Sequence, residues 1–215
     1  MSHISHLARQ ASIKNIIFDL GGVILDLSVD RTLHSFSQLS GHAVLRVKEL
    51  FLSTAGFYDF EKGLIDEHAF RDLVREVYGV TSATDARIDQ AWNAMLGGLP
   101  PAKLDLLNRL KQQYQVFLLS NTNTIHLKYI HEHVIPMTGV PSLDVFFHKA
   151  YYSHLMNKRK PDADIYQQVL QENNLHPHET VFLDDNADNV TGAKRLGIHS
   201  VLASTPDFIL SYFHE

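Results

Sequence analysis

The stretch IIFDLGGV, residues 16–23, sets the reading of the chain. Ile16, Ile17 and Phe18 form an apolar run suited to a buried strand, and a carboxylate, Asp19, stands at its end. Gly21 and Gly22 then allow a tight backbone path that larger residues resist. Two later stretches share the plan. LLSNTN (118–123) and VFLDDNADN (181–189) each pass from apolar to polar, so Val116–Leu119 and Val181–Leu183 read as strands. In a parallel α/β sheet such ends fall on one edge, outside the carboxyl ends of the strands, where these folds bind ligands. Asp19, Ser120 and the pair Asp184–Asp185 would meet there, and KRKPD (158–162) can add Lys160.

Around these segments strands and helices alternate. Leu104, Leu107 and Leu110 mark one helix, Ile165, Tyr166, Val169 and Leu170 another, and Val190–Leu196 a short third, with Ser200–Ala203 as a last strand. Such alternation implies a parallel sheet. From about Val29 to Gly98 the pattern is helical throughout. It includes His68–Tyr78 with Gly79 as its stop, and a helix carrying Ile88, Ala91, Trp92, Met95 and Leu96 that Ser82 and Asp85 would cap. Phe57, Tyr58 and Glu61 are expected in the loop before a helix at 66. Four helices in a row with no strand between them favour a separate unit. The fold expected is α/β, a Rossmann-like parallel sheet core flanked by helices, with an inserted α-helical cap domain. The core would be discontinuous, 1–28 and 99–215, and the cap 29–98.

The bulk composition narrows the function. The 215 residues are 45% apolar and 20% charged, which fits a soluble globular chain long enough for a sizeable core. A net charge of −5 argues against nucleic acid as a partner. The chain has no cysteine, so disulfides, thiolate catalysis and zinc–cysteine sites are excluded. MSHISHLARQ lacks the apolar core of a signal peptide, and Ile16–Leu27, broken by Asp19 and Asp26, is too short to span a bilayer. A cytoplasmic protein with no membrane partner is expected. The sequence does not give its oligomeric state, though a monomer is compatible with it. No GxGxxG or GxxxxGKS motif supports dinucleotide or nucleotide-loop chemistry. His131–Glu132–His133 and His176–Pro177–His178 read as surface histidines, since alternate residues do not share a helix face.

FDLGGV, LLSNTN, KRKPD and VFLDDNADN, in this order, resemble the motifs of the haloacid dehalogenase superfamily of aspartate-nucleophile hydrolases. The resemblance runs from about Lys14 to Leu202. Within the superfamily SNTNTIH, RKPDADIYQQVLQ and FLDDNADNVTGAKRLGI look most like the bacterial α-D-glucose-1-phosphate phosphatases. It implies a Mg²⁺-dependent phosphatase acting on a small phosphate ester, such as a sugar phosphate. Asp19 would be the nucleophile, forming an acyl phosphate that water hydrolyses. Asp19, the backbone carbonyl of Gly21 and Asp185 would ligate Mg²⁺, which needs only one or two carboxylates besides water and substrate. Asp184 and Asn189 would orient the site. Ser120 and Asn121 would hold phosphoryl oxygens, and Lys160, ahead of a helix capped by Asp162, would offset their charge. In the family a cap loop reaches the active site, which makes Tyr58 and Glu61, with Phe57, the expected substrate-binding residues. Trp92 reads first as cap core.

One position departs from the pattern. Most phosphatases of the superfamily carry a second aspartate, an acid–base, where this chain has Gly21. Losing such a group typically costs ~10²–10⁴ in rate. An anomeric sugar phosphate, whose leaving hydroxyl is more acidic than an ordinary alcohol, would suit the glycine; Glu61 and Asp26 are candidate substitutes. Two other readings start from the same residues. A metal-independent 2-haloacid dehalogenase would also lack the second aspartate, but that branch tends to carry serine in place of Asp185. A carboxylate there repels an attacking Asp19 unless a cation lies between them. A non-catalytic sugar-phosphate-binding protein is the other reading, and the intact Asp19, Lys160 and Asp185 weigh against it.

Overall fold

The computed structural model describes residues 13–213, so the reading of MSHISHLARQ and the first twelve residues of the expected core lie outside the described residues. Five parallel strands form one sheet: β1 (Asn15–Phe18), β2 (Gln115–Ser120), β3 (Lys149–Tyr152), β4 (Thr180–Asp184) and β5 (His199–Leu202), in the order β3-β2-β1-β4-β5. β1 takes the centre because all four of its residues are buried. Successive side chains of a strand face opposite sides of the sheet, and the core divides accordingly. Ile16, Phe18, Leu118 and Leu183 pack with Leu107 of α6 (Pro101–Lys111) and Ile209 of α11 (Phe208–Tyr212). Ile17, Phe117, Leu119 and Phe182 pack on the other face with Val169 of α9 (Ala163–Glu172) and Ala193 of α10 (Ala187–Lys194). The short α8 (Ser153–Met156) follows β3 directly, and the short α7 (Thr124–Tyr129) follows β2 after residues 121–123. β3 went unforeseen: it is an edge strand of four residues, KAYY, that starts on an exposed lysine.

Between β1 and α6 lie five helices, not four: α1 (Val29–Ser40), α2 (Val44–Ser53), α3 (Ala55–Glu61), α4 (Glu67–Tyr78) and α5 (Asp85–Asn93). They share a hydrophobic cluster of their own, built on Phe36, Val47, Phe57, Phe70, Tyr78 and Trp92. Phe57, Tyr58 and Glu61 therefore stand on a helix rather than in the expected loop. Phe57 and Phe60, three residues apart and buried, hold that helix to the cluster.

Helix starts needed similar correction. Thr84, not Ser82, caps α5, its hydroxyl accepting from the Arg87 N–H. Asp162 precedes α9 but its side chain makes no cap bond; it faces Lys62 Nζ at 3.2 Å instead. Asn186 accepts from the N–H groups of Asp188 and Asn189, which starts α10 at Ala187, ahead of the expected Val190.

The two segments joining the helical block to the sheet run side by side. Asp26 N–H donates to Gly98 O at 2.9 Å, Gly97 N–H to Asp26 O at 2.8 Å, and Ser28 N–H to Met95 O at 2.9 Å. A side chain at Gly97 would meet Asp26 O at 2.7 Å, so glycine lets the two backbones approach. No helix among the described residues is long and apolar enough to cross a membrane.

Candidate active site

Strand register assembles the site. Phe18 pairs with both Leu118 and Leu183, so Asp19, Leu119 and Asp184 come level across β1, β2 and β4. The ammonium of Lys160 closes this row. Its Nζ lies 2.7 Å from Asp19 Oδ1, 2.7 Å from the Leu119 carbonyl and 2.7 Å from Asp184 Oδ2. Lys160 is fully buried, its charge carried by these partners and by the Phe182 ring face 5.4 Å away.

Asn121 fixes that lysine. Its amide donates to the Lys160 carbonyl and accepts from the Lys160 N–H, both at 3.0 Å. The Asn121 side chain is spent on positioning Lys160, which leaves the hydroxyls of Ser120 and Thr122 as the groups of that segment that line the cavity and, among the described residues, have no side-chain hydrogen bond. Asp184 is also occupied: Lys160 holds Oδ2, the Asn186 N–H donates to Oδ1, and Asn189 Nδ2 reaches both oxygens at 3.0 and 3.1 Å. Asp185, by contrast, is exposed at the cavity. Gly22, at φ +74°, brings the loop against it; a Cβ there would sit 2.1 Å from Asp185 Oδ2.

Asp19, Asp184 and Asp185 each offer a carboxylate oxygen, all within 4.8 Å of one another. An all-oxygen donor set suits Mg²⁺. Charge agrees with this, since three carboxylates face one ammonium. Burial raises the Asp19 pKa to about 7; Lys160 opposes the rise, and Asp184 and Asp185 add to it. Burial and then Asp184 raise that of Asp185. Burial disfavours the Lys160 ammonium, but Asp184 and Asp19 outweigh it and hold its pKa above the ordinary value. A divalent cation would offset the carboxylates that add to the effect of burial on Asp19.

The site opens into a cavity of about 340 Å³ between the sheet edge and the helical block. The sheet side supplies Asp19, Gly21, Ser120, Lys160 and Asp185, and the helices supply Phe51, Tyr58, Glu61 and Trp92. Two expected residues lie elsewhere. Phe57 is in the helical core at 1% exposure. Asp26 does not line the cavity, and its carboxylate faces Lys103 Nζ at 3.2 Å. Trp92 serves both core and cavity: its ring stacks on His126 at 4.8 Å and its Nε1–H donates to Asn123 Oδ1 at 3.3 Å, tying α5 to the start of α7. His126 and Arg159 are among the cavity residues that were not foreseen. His126 was hidden because only the tertiary stack on Trp92 singles it out. Arg159 was hidden inside a run of three basic residues. It donates from Nε to Glu61 Oε2 at 2.5 Å and lies 4.6 Å from the centre of the Tyr58 ring.

The family model of the haloacid dehalogenase-like hydrolases matches residues 13–197, and the chain belongs to that family. It is 30% identical over 188 residues to the D-ribitol-5-phosphate phosphatase of Bacteroides thetaiotaomicron, covering 87% of this chain and 90% of that one. Among solved structures it resembles the HAD family enzyme BT-2542 of the same organism, in complex with magnesium and inorganic phosphate. There the TM-score is 0.78 at 38% identity, over 88% of this chain and 93% of the other. A HAD-like family hydrolase from Porphyromonas gingivalis superposes with a TM-score of 0.80 at 33% identity, over 89% and 91% of the two chains.

Proposed function

We propose that this phosphoric monoester hydrolase, with Mg²⁺ as its cofactor, acts on a small polyhydroxylated phosphate ester through an aspartyl phosphate on Asp19. Pentitol phosphates and α-D-glucose 1-phosphate are the substrates to try first: the former from the ribitol-phosphate relative, the latter from the SNTNTIH and RKPDADIY motifs. The observation that carries the reading is the Lys160 ammonium bridging Asp19 and Asp184 while Asp185, exposed at the cavity, has no ion-pair partner among the described residues. Three carboxylates beside one lysine make a poor site for a metal-free attack on a haloacid and a good one for a cation–phosphate pair.

Asp19, the Gly21 carbonyl and Asp185 would hold Mg²⁺, with Asp184 and Asn189 orienting them. Bound there, the ion supplies charge neutralisation at the phosphoryl oxygens. A carboxylate oxygen of Asp19 attacks phosphorus, and the bond to the ester oxygen breaks. With glycine at 21, the departing oxygen draws its proton from water in the cavity. A second water then attacks the aspartyl phosphate, releasing phosphate and restoring Asp19. Lys160 and Ser120 stabilise the phosphoryl oxygens through both steps. The helices 29–98 are proposed as the cap that shields them from bulk water. A charged ester does not cross a bilayer unaided, so the cytoplasm, where such esters are made, is the proposed setting.

The test is phosphate release from D-ribitol 5-phosphate and α-D-glucose 1-phosphate, with and without Mg²⁺. Release that requires Mg²⁺ and falls by at least about 10⁴ in Asp19→Asn is expected, as for loss of an essential nucleophile. Undiminished release by Asp19→Asn would remove Asp19 from the mechanism.

A further inference from the structure

Glu61 and Arg159 meet across the cavity mouth, one from the helical block and one from the sheet domain, with side-chain exposures of 19% and 24%. The pair is only partly used by the protein. Arg159 spends Nε on Glu61 Oε2 and Nη1 on the Lys160 carbonyl at 2.9 Å. Among the described residues nothing else bonds its Nη2 or the Oε1 of Glu61. A donor and an acceptor thus stand side by side at the cavity, with the Tyr58 ring packed on the guanidinium. An alcohol group matches such a pair, because it gives and takes a hydrogen bond at a single atom and carries no charge. The charges of the pair cancel, so it offers an anionic group no net attraction.

The backbone around Glu61 is seated independently of this pair. Ser153 Oγ accepts from the Thr122 N–H at 2.9 Å, and its one proton lies between the Glu61 carbonyl at 2.6 Å and the Thr122 carbonyl at 2.9 Å. Asn157 Nδ2 donates to the Lys62 carbonyl at 3.0 Å. At Gly63, φ is +67° and the His154 carbonyl lies where a Cβ would clash. The turn that presents Glu61 is therefore fixed against the segments that carry Ser120 and Lys160. Truncating the Glu61 side chain removes a recognition group without releasing the turn.

We infer that Arg159 is a specificity-determining residue which, paired with Glu61, reads a hydroxyl of the leaving group and so selects polyhydroxylated esters over apolar or anionic ones. This rests on the phosphatase reading above and adds a residue and a rule of selection to it.

The test compares kcat/KM for D-ribitol 5-phosphate, pentyl phosphate and D-ribonate 5-phosphate, with p-nitrophenyl phosphate as a general probe. The three esters share a five-carbon primary leaving group that is respectively hydroxylated, bare, or hydroxylated with a terminal carboxylate. In the wild type the ribitol ester leads. Arg159→Met should lower the ribitol-to-pentyl ratio at least about tenfold, the scale of one hydrogen bond to a charged group. Glu61→Ala should lower the ribitol-to-ribonate ratio, because an unpaired Arg159 now attracts the carboxylate. A structural role alone would slow all esters by a common factor and leave both ratios unchanged; that result overturns the inference. So does a wild type that hydrolyses pentyl phosphate as well as the ribitol ester. Failure of the phosphatase reading itself looks different: no phosphate is released from any ester, p-nitrophenyl phosphate included.

Discussion

Adjacent glycines at 21 and 22 carry different constraints. Gly22 is required by the backbone, since its φ of +74° and the Asp185 carboxylate 2.1 Å from its missing Cβ both exclude a side chain. Gly21 is not. Its φ is unexceptional, and a Cβ would meet only the flexible end of Leu27 at 3.1 Å. The position where most phosphatases of the family hold an acid is therefore open to one. Gly21→Asp should fold and weaken the dependence of rate on leaving-group acidity, raising alkyl phosphate hydrolysis relative to aryl. Equal alkyl-to-aryl ratios in mutant and wild type would show that protonation of the leaving oxygen does not limit turnover. The sequence exposed Asp19, Lys160 and Asp185 because each follows an apolar run or precedes a proline in a distinctive order. It hid Arg159, since a basic run has no local mark to separate a cavity residue from a solvated one. It also misassigned Asp26, a carboxylate at a fitting distance along the chain whose actual partner, Lys103, comes from a helix far away in sequence.

At the scale of elements, the three central strands were legible from their apolar runs and the helix α4 from its apolar stripe. The edge strand β3 and the seven-residue α3 were not, as both are too short for periodicity to show and are held by tertiary contacts. α3 matters because its end delivers Glu61. Gly63→Ala, which drives a methyl into the His154 carbonyl at a left-handed position, should unseat that turn. It should lower the melting temperature by several degrees and raise KM more than it lowers kcat; wild-type melting and KM together would refute this seating.

The joint between α5 and α7 carries a pH signature. Burial lowers the pKa of His126, stacked on Trp92, to about 4. Unfolded histidine titrates near pH 6.5. As pH falls from about 6.5 towards 4 the unfolded chain takes up a proton that the folded chain refuses, so this group destabilises the fold over that window by about 2 kcal/mol between pH 7 and 5. Urea unfolding at the two pH values should show that loss in the wild type and much less of it in His126→Gln. An equal loss in both would assign the acid sensitivity to other groups.

Across the whole molecule, the excess of carboxylates at the sheet edge makes stability and cation binding one property. A ligand that binds only the folded state stabilises by RT ln(1 + [L]/Kd), about 2.7 kcal/mol at a hundredfold excess over Kd. Mg²⁺ should therefore raise the melting temperature of the wild type, chelation should reverse the rise and stop turnover, and Asp185→Ala should abolish the shift. A melting temperature blind to Mg²⁺ in the wild type would place the ion elsewhere. The parallel sheet was legible in the alternation of strands and helices, whereas the order of its strands was not. The meeting of Glu61 with Arg159 is a property of the packed molecule, because those residues lie 98 positions apart.

The central claim is that Asp19 becomes covalently phosphorylated during turnover. Acid quench of the enzyme at work with Mg²⁺ and substrate, followed by peptide mass analysis, tests it directly. A phosphoryl group on the peptide containing Asp19, present during turnover, gone once substrate is exhausted and missing from Asp19→Asn, is the expected result. Steady phosphate release with no phosphoryl group on that peptide at any quench time would contradict it.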